Sequence, residues 1–107
     1  MSDNVAREIE EIKNIFVSVL APQKIYLFGS FADGTQTEDS DFDFYIVMKD
    51  TGKNLVDLTA EAYRSIRHVK RRPVDIIVGA EQSFAKKRNM YTVENEVASK
   101  EVLLYDR

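Results

Sequence analysis

The chain has 107 residues, 44% hydrophobic and 31% charged, with a net charge of −3, no cysteine and one histidine. That length suits one domain with one core. Disulfides and thiolate metal sites are excluded, a histidine-based metal site or serine–histidine triad is not expected from the lone His68, and the acidic balance argues weakly against general affinity for nucleic acid. No apolar run reaches 18 residues, and the first ten residues lack a basic segment followed by an apolar one, so neither a membrane span nor a signal peptide is expected. The expected location is cytoplasmic.

Val5, Ile9, Ile12, Phe16 and Leu20 recur at helical spacing, with Glu8, Glu10, Glu11 and Lys13 assigned to other faces. Ser2 or Asp3 is the candidate cap, and Pro22 closes the helix. Lys24 to Phe28 reads as a first strand, turned by Gly29. Ser30 to Asp33 is long enough for one helical turn, closed by Gly34, and Thr35 to Ser40 reads as loop. Phe42 to Met48 is a second strand, followed by a turn over Lys49 to Lys53. Asn54 is a candidate cap for an amphipathic helix carrying Leu55, Leu58, Ala62, Ser65, Ile66 and Val69. This helix ends in basic residues, which its dipole favours. Pro73 breaks the pattern. Val74 to Val78 is a third strand, punctuated by Gly79. Glu81 to Arg88 and Tyr91 to Ser99 read as two short helices, and Val102 to Tyr105 as a closing edge strand. Repeats, low-complexity tracts and linkers are absent from the sequence, so residues 1–107 read as a single domain.

The informative stretch runs from Ile25 to Met48. Side chains alternate along a strand, so Asp41 and Asp43 share a face with Tyr45 and Val47, while Phe42, Phe44, Ile46 and Met48 line the other. Adjacent carboxylates repel, and protonation of one or a shared cation relieves the repulsion. For Gly29-Ser30, at the end of the first strand, to meet Asp41 and Asp43, the two strands must run antiparallel. A helix joins the second strand to the third, which is the arrangement of a right-handed crossover between parallel neighbours. Asp75 then lies beside Asp41 and Asp43. The expected architecture is α/β (α+β): a small mixed sheet, helices on one face and a carboxylate cluster on the open face.

Each signal has a plainer alternative. Gly29-Ser30 alone is an ordinary turn. Asp39-Ser-Asp-Phe-Asp43 could be a solvated acidic loop, or positions 1, 3 and 5 of a calcium loop. The calcium reading fails at position six, where Phe44 replaces the required glycine. Arg64, Arg67, His68, Lys70, Arg71 and Arg72 form a solvated basic helix end, or a docking patch for an acidic partner or RNA.

Taken together, Gly29-Ser30, Gly34 and Ser40-Asp41-Phe42-Asp43 resemble the signature of the DNA polymerase beta-like nucleotidyltransferases, and within them the minimal (MNT) nucleotidyltransferase domains. The resemblance implies the nucleotidyltransferase fold. It implies nucleotide binding by Gly29, Ser30, Gly34 and Ser40, with Asp41, Asp43 and Asp75 as catalytic residues and ligands of magnesium, two Mg2+ ions in all. It also implies ATP as substrate and a separately encoded HEPN-like toxin as partner, to which AMP is added on a tyrosine. The alternatives are an antitoxin that neutralises its partner by contact, or a subunit acting on a small molecule or RNA. One departure concerns activity: many minimal domains carry an arginine before the second glycine, where this chain has Asp33. Size supports a protein acceptor, because a chain this short leaves little wall for the enclosing pocket that a small acceptor needs.

Overall fold

In a computed structural model, the described residues are 3–29, 41–49, 52–81 and 102–107. The first apolar stripe forms helix α1 (Asp3–Leu20), which buries Ile9, Ile12, Phe16 and Leu20. Glu8 is buried with them, against the sequence expectation. Its position explains why: Glu8 lies three residues after Val5 and four before Ile12, on the apolar face itself. The helix stops at Ala21, whose φ of 50° is left-handed. Its N–H still bonds the Val17 carbonyl at 3.1 Å, and Pro22 turns the chain away.

Strand β1 (Lys24–Phe28) and strand β2 (Phe42–Met48) have the bounds read from the sequence. Helix α2 (Leu55–Ser65) begins on Asn54, whose side chain accepts the Val56 N–H at 2.8 Å. It ends before Val69, because Ile66 leaves the helical region (φ −108°, ψ 3°) and the chain turns through 66–69. Strand β3 (Val74–Ala80) continues through Gly79, and strand β4 (Val102–Asp106) closes the sheet. The two helices expected over 81–88 and 91–99 and the helical turn over 30–33 fall outside the described residues, apart from Glu81.

The sheet order is β3-β2-β1-β4. β1 is antiparallel to β2 and β4, and β2 is parallel to β3, as the sequence required. Phe42, Phe44, Ile46 and Met48 point to the helix layer and pack with residues of α1, α2 and β3. Phe44 meets Phe16 edge-on at 5.4 Å and Phe42 at 6.0 Å. Each fully buried phenylalanine contributes about 1.5–3 kcal/mol by removal from water. Val74 and Ile76 from β3 and Leu58, Ala62 and Ile66 complete this core.

The opposite face is open at the end where β2 and β3 begin, and at its other end Tyr26, Tyr45 and Val47 form a second buried cluster, flanked by Phe28 and Ile77. Tyr45 lies across Gly79, where any side-chain carbon would collide with its ring and hydroxyl. Gly79 is therefore a packing glycine rather than the end of the strand.

Candidate functional site

Two strand pairings assemble the site. Asp43 is the register partner of Phe28 on β1 and of Asp75 on β3. Neighbouring strands lie about 4.8 Å apart, so side chains on one face at paired positions touch. The sheet thereby brings Asp43 and Asp75 together on the face opposite the helices. Asp75 is exposed and Asp43 half-buried, while Phe42, Phe44, Val74 and Ile76 are buried behind them. Asp41 precedes β2 on the same side.

The electrostatics follow from this geometry. Asp43 has its pKa raised from 3.8 to about 6, first by burial, then by the charge of Asp75 and the hydrogen bond the two share, and last by Asp41. A shared hydrogen bond between two carboxyl groups requires a proton on one of them. A hard divalent cation neutralises the same pair without that proton. The donor set is all oxygen and suits magnesium in kind. As placed, however, Asp41, Asp43 and Asp75 do not form a three-ligand metal group, and none exists among the described residues.

Gly29 sits against this cluster. Its φ is 77°, and a Cβ there would collide with the Asp43 carboxylate. Glycine is thus required for two independent reasons, left-handed backbone and close approach. Ser30, Gly34 and Ser40, the other residues of the expected phosphate turn, lie outside the described residues, as does Asp33.

Residues that the sequence did not assign to the site hold its rim. The buried Glu8 accepts hydrogen bonds from the Arg71 backbone N–H at 3.1 Å and from Arg72 Nε at 3.3 Å. The Arg72 guanidinium stands 4.6 Å from the centroid of Phe42, the residue between Asp41 and Asp43. The Phe42 N–H bonds the Pro73 carbonyl at 3.1 Å. Together these contacts tie α1 and the segment before β3 to the start of β2. On the far side of β3, the Ile76 N–H donates to the Tyr63 hydroxyl at 2.9 Å. The spacing of Glu8 within the α1 stripe was the available signal. Tyr63 offered none, because its partner is a backbone group on another element.

The family described as polymerase beta, nucleotidyltransferase, matches residues 10–107. No curated protein is significantly similar to the chain in sequence. Among solved structures, a toxin–antitoxin with AMP-PNP is similar over 92% of this chain and 73% of its own, with TM-score 0.60 and 24% identity. A candidate nucleotidyltransferase from Sulfolobus solfataricus is similar over 100% of this chain and 90% of its own, with TM-score 0.62 and 24% identity. A mutant of the toxin–antitoxin MntA-HpeT is similar over 92% and 73%, with TM-score 0.57 and 20% identity. At these identities the structures speak to the fold. The four-stranded mixed sheet and the two helices among the described residues have the nucleotidyltransferase fold, and the family match covers nearly the whole sequence. The chain belongs to the polymerase beta nucleotidyltransferase family.

Proposed function

We propose that this chain is a magnesium-dependent nucleotidyltransferase that moves AMP from ATP to a separately encoded, HEPN-like toxin, as the antitoxin of a toxin–antitoxin pair in the cytoplasm. One observation carries the proposal: Asp43 and Asp75 stand in register on adjacent parallel strands, against a left-handed glycine, in a chain of this family. Two of the three similar structures described above are toxin–antitoxin proteins, one of them with AMP-PNP, which supports both the nucleotide and the kind of partner.

In this reading Gly29 and Ser30, with Gly34 and Ser40, hold the triphosphate, and the absence of a side chain at Gly29 lets the backbone approach it. Asp41, Asp43 and Asp75 would hold magnesium, which when bound would supply positive charge against the triphosphate and the carboxylates. The acceptor is a tyrosine hydroxyl with a pKa near 10, a weak nucleophile until its proton has somewhere to go. Asp75 is the exposed carboxylate of the pair and receives that proton. The tyrosine oxygen bonds to the α-phosphorus as the bond to pyrophosphate breaks, and pyrophosphate leaves with the electron pair. The new phosphodiester places a negative charge and a nucleoside on the partner.

The test is to incubate the protein with magnesium, ATP and the protein encoded beside it, and to weigh the partner by mass spectrometry. An AMP adduct is expected with the wild type and none with Asp41→Asn/Asp43→Asn. A second reading is an antitoxin that neutralises by contact alone. It is favoured by the placement of Asp41, Asp43 and Asp75, which among the described residues do not gather as a three-ligand metal group. A partner that is neutralised but unmodified by both proteins would establish it.

A further inference from the structure

The segment from Arg64 to Arg72 has no part in the chemistry above, yet its charge is unlike the rest of the chain. It holds Arg64, Arg67, Lys70, Arg71 and Arg72 without one carboxylate, whereas the other residues carry ten Lys and Arg against eighteen Asp and Glu. Arg72 is bound to Glu8 and stands over Phe42. Arg64, Arg67, His68 and Lys70 are exposed, and among the described residues none of them has a carboxylate partner. Strongly like-charged side chains this close repel, which an anionic partner relieves.

The same helix exposes apolar surface. Val56 is 75% exposed and Tyr63 39% exposed. Val56 and Tyr63 are seven residues apart on α2 and share one side of it, and the basic turn carrying Arg67 and His68 follows directly on the end of the helix. A purely phosphate-binding surface does not need the apolar half. A protein helix with apolar residues along one flank and Asp or Glu at one end matches both halves.

Position gives this patch a consequence. α2 runs back from the end of β2 to the start of β3, so its basic end lies at the rim where Asp41, Asp43 and Asp75 begin the site. We propose that the surface from Val56 on α2 to Lys70, just past the turn that ends the helix, is the docking surface for an acidic, amphipathic helix of the acceptor protein, which it holds beside the carboxylates. This inference rests on the reading above that the acceptor is a protein.

The test measures complex formation between the full chain and the protein encoded beside it by calorimetry, without ATP or magnesium, so that failure of AMP transfer leaves the result unaffected. The triple variant Arg64→Glu/Arg67→Glu/Lys70→Glu should melt within a few degrees of the wild type and bind on the order of 100-fold more weakly. Wild-type affinity should fall as salt is raised. Val56→Ser should weaken binding a few-fold. Should the triple variant not fold, Arg64→Gln/Arg67→Gln provides the same comparison with a smaller loss. Undiminished binding by the folded variant, or no complex with the wild type, overturns the proposal. Polyuridylate is the control probe: RNA binding lost in the variant while partner binding persists would reassign the patch to nucleic acid.

Discussion

The two faces of the sheet use one strand, β2, for opposite ends. Its even-numbered residues Phe42, Phe44, Ile46 and Met48 are all buried under the helices. Its odd-numbered residues change character along the strand, from the half-buried Asp43 to the buried Tyr45 and Val47. The helix-covered face stabilises the protein throughout its length. The other face stabilises it at one end and concentrates negative charge at the other. Stability and candidate chemistry are therefore separated by two residues along one strand, and substitutions should sort accordingly.

The largest effect is expected on the helix face. Phe44→Ala empties a site packed by two aromatic rings and should cost about 3–5 kcal/mol in urea unfolding. A cost below about 1 kcal/mol would mean that this face is not the main core. Next comes the apolar end of the other face. Gly79→Ala drives a methyl into Tyr45 and should cost about 1–3 kcal/mol, recovered in part by adding Tyr45→Val. Equal losses with and without the second change would deny the contact.

The carboxylate end should behave in the opposite sense. The folded pKa of Asp43, about 6, lies above its ordinary 3.8. Below about 3.8 the group is protonated in both states and imposes no penalty. Between about 3.8 and 6 the unfolded chain has released the proton that the folded state still holds, so stability falls across that window and the loss is complete once pH has passed 6. Asp43→Asn should therefore raise stability at pH 7.5 by about 1 kcal/mol, after allowance for the screening of a half-buried group, and leave it nearly unchanged at pH 4. Thermal unfolding at both pH values reads this directly; a loss at pH 7.5 would show that the carboxylate is stabilising. The same variant should lose any thermal shift given by magnesium with ATP. The smallest effect lies outside both faces: Ala21→Gly relieves a left-handed alanine and should add about 0.5 kcal/mol, since glycine's freedom in the unfolded chain offsets part of the gain.

What could be read from the sequence was whatever alternation and punctuation encode locally. The strands Lys24–Phe28 and Phe42–Met48, the Asn54 cap and the parallel return that sets Asp75 beside Asp43 all follow from spacing and from the connection lengths between elements. Gly79 was misjudged because a glycine that ends a strand and one that admits a neighbouring ring look alike until Tyr45 is in place. Glu8 was misplaced because its charge outweighed its position on the apolar stripe, while the groups that make it tolerable, the Arg71 N–H and Arg72, lie more than sixty residues away. The close approach of Gly29 to Asp43 is likewise a product of pairing, although both residues were visible as candidates.

The hydroxyl of Tyr63 also bears on how this sheet can grow. β3 is an outer strand, and outer strands offer unpaired backbone groups on which foreign chains can polymerise. Because the Ile76 N–H is already engaged by Tyr63, an incoming strand would have to evict a side chain anchored in α2 before it could zip onto that margin. No such guard stands along β4 among the described residues, where Val102 and Leu103 are exposed. Among the described residues the two margins of the sheet therefore differ: a phenol occupies the backbone of β3 at Ile76, whereas β4 exposes Val102 and Leu103.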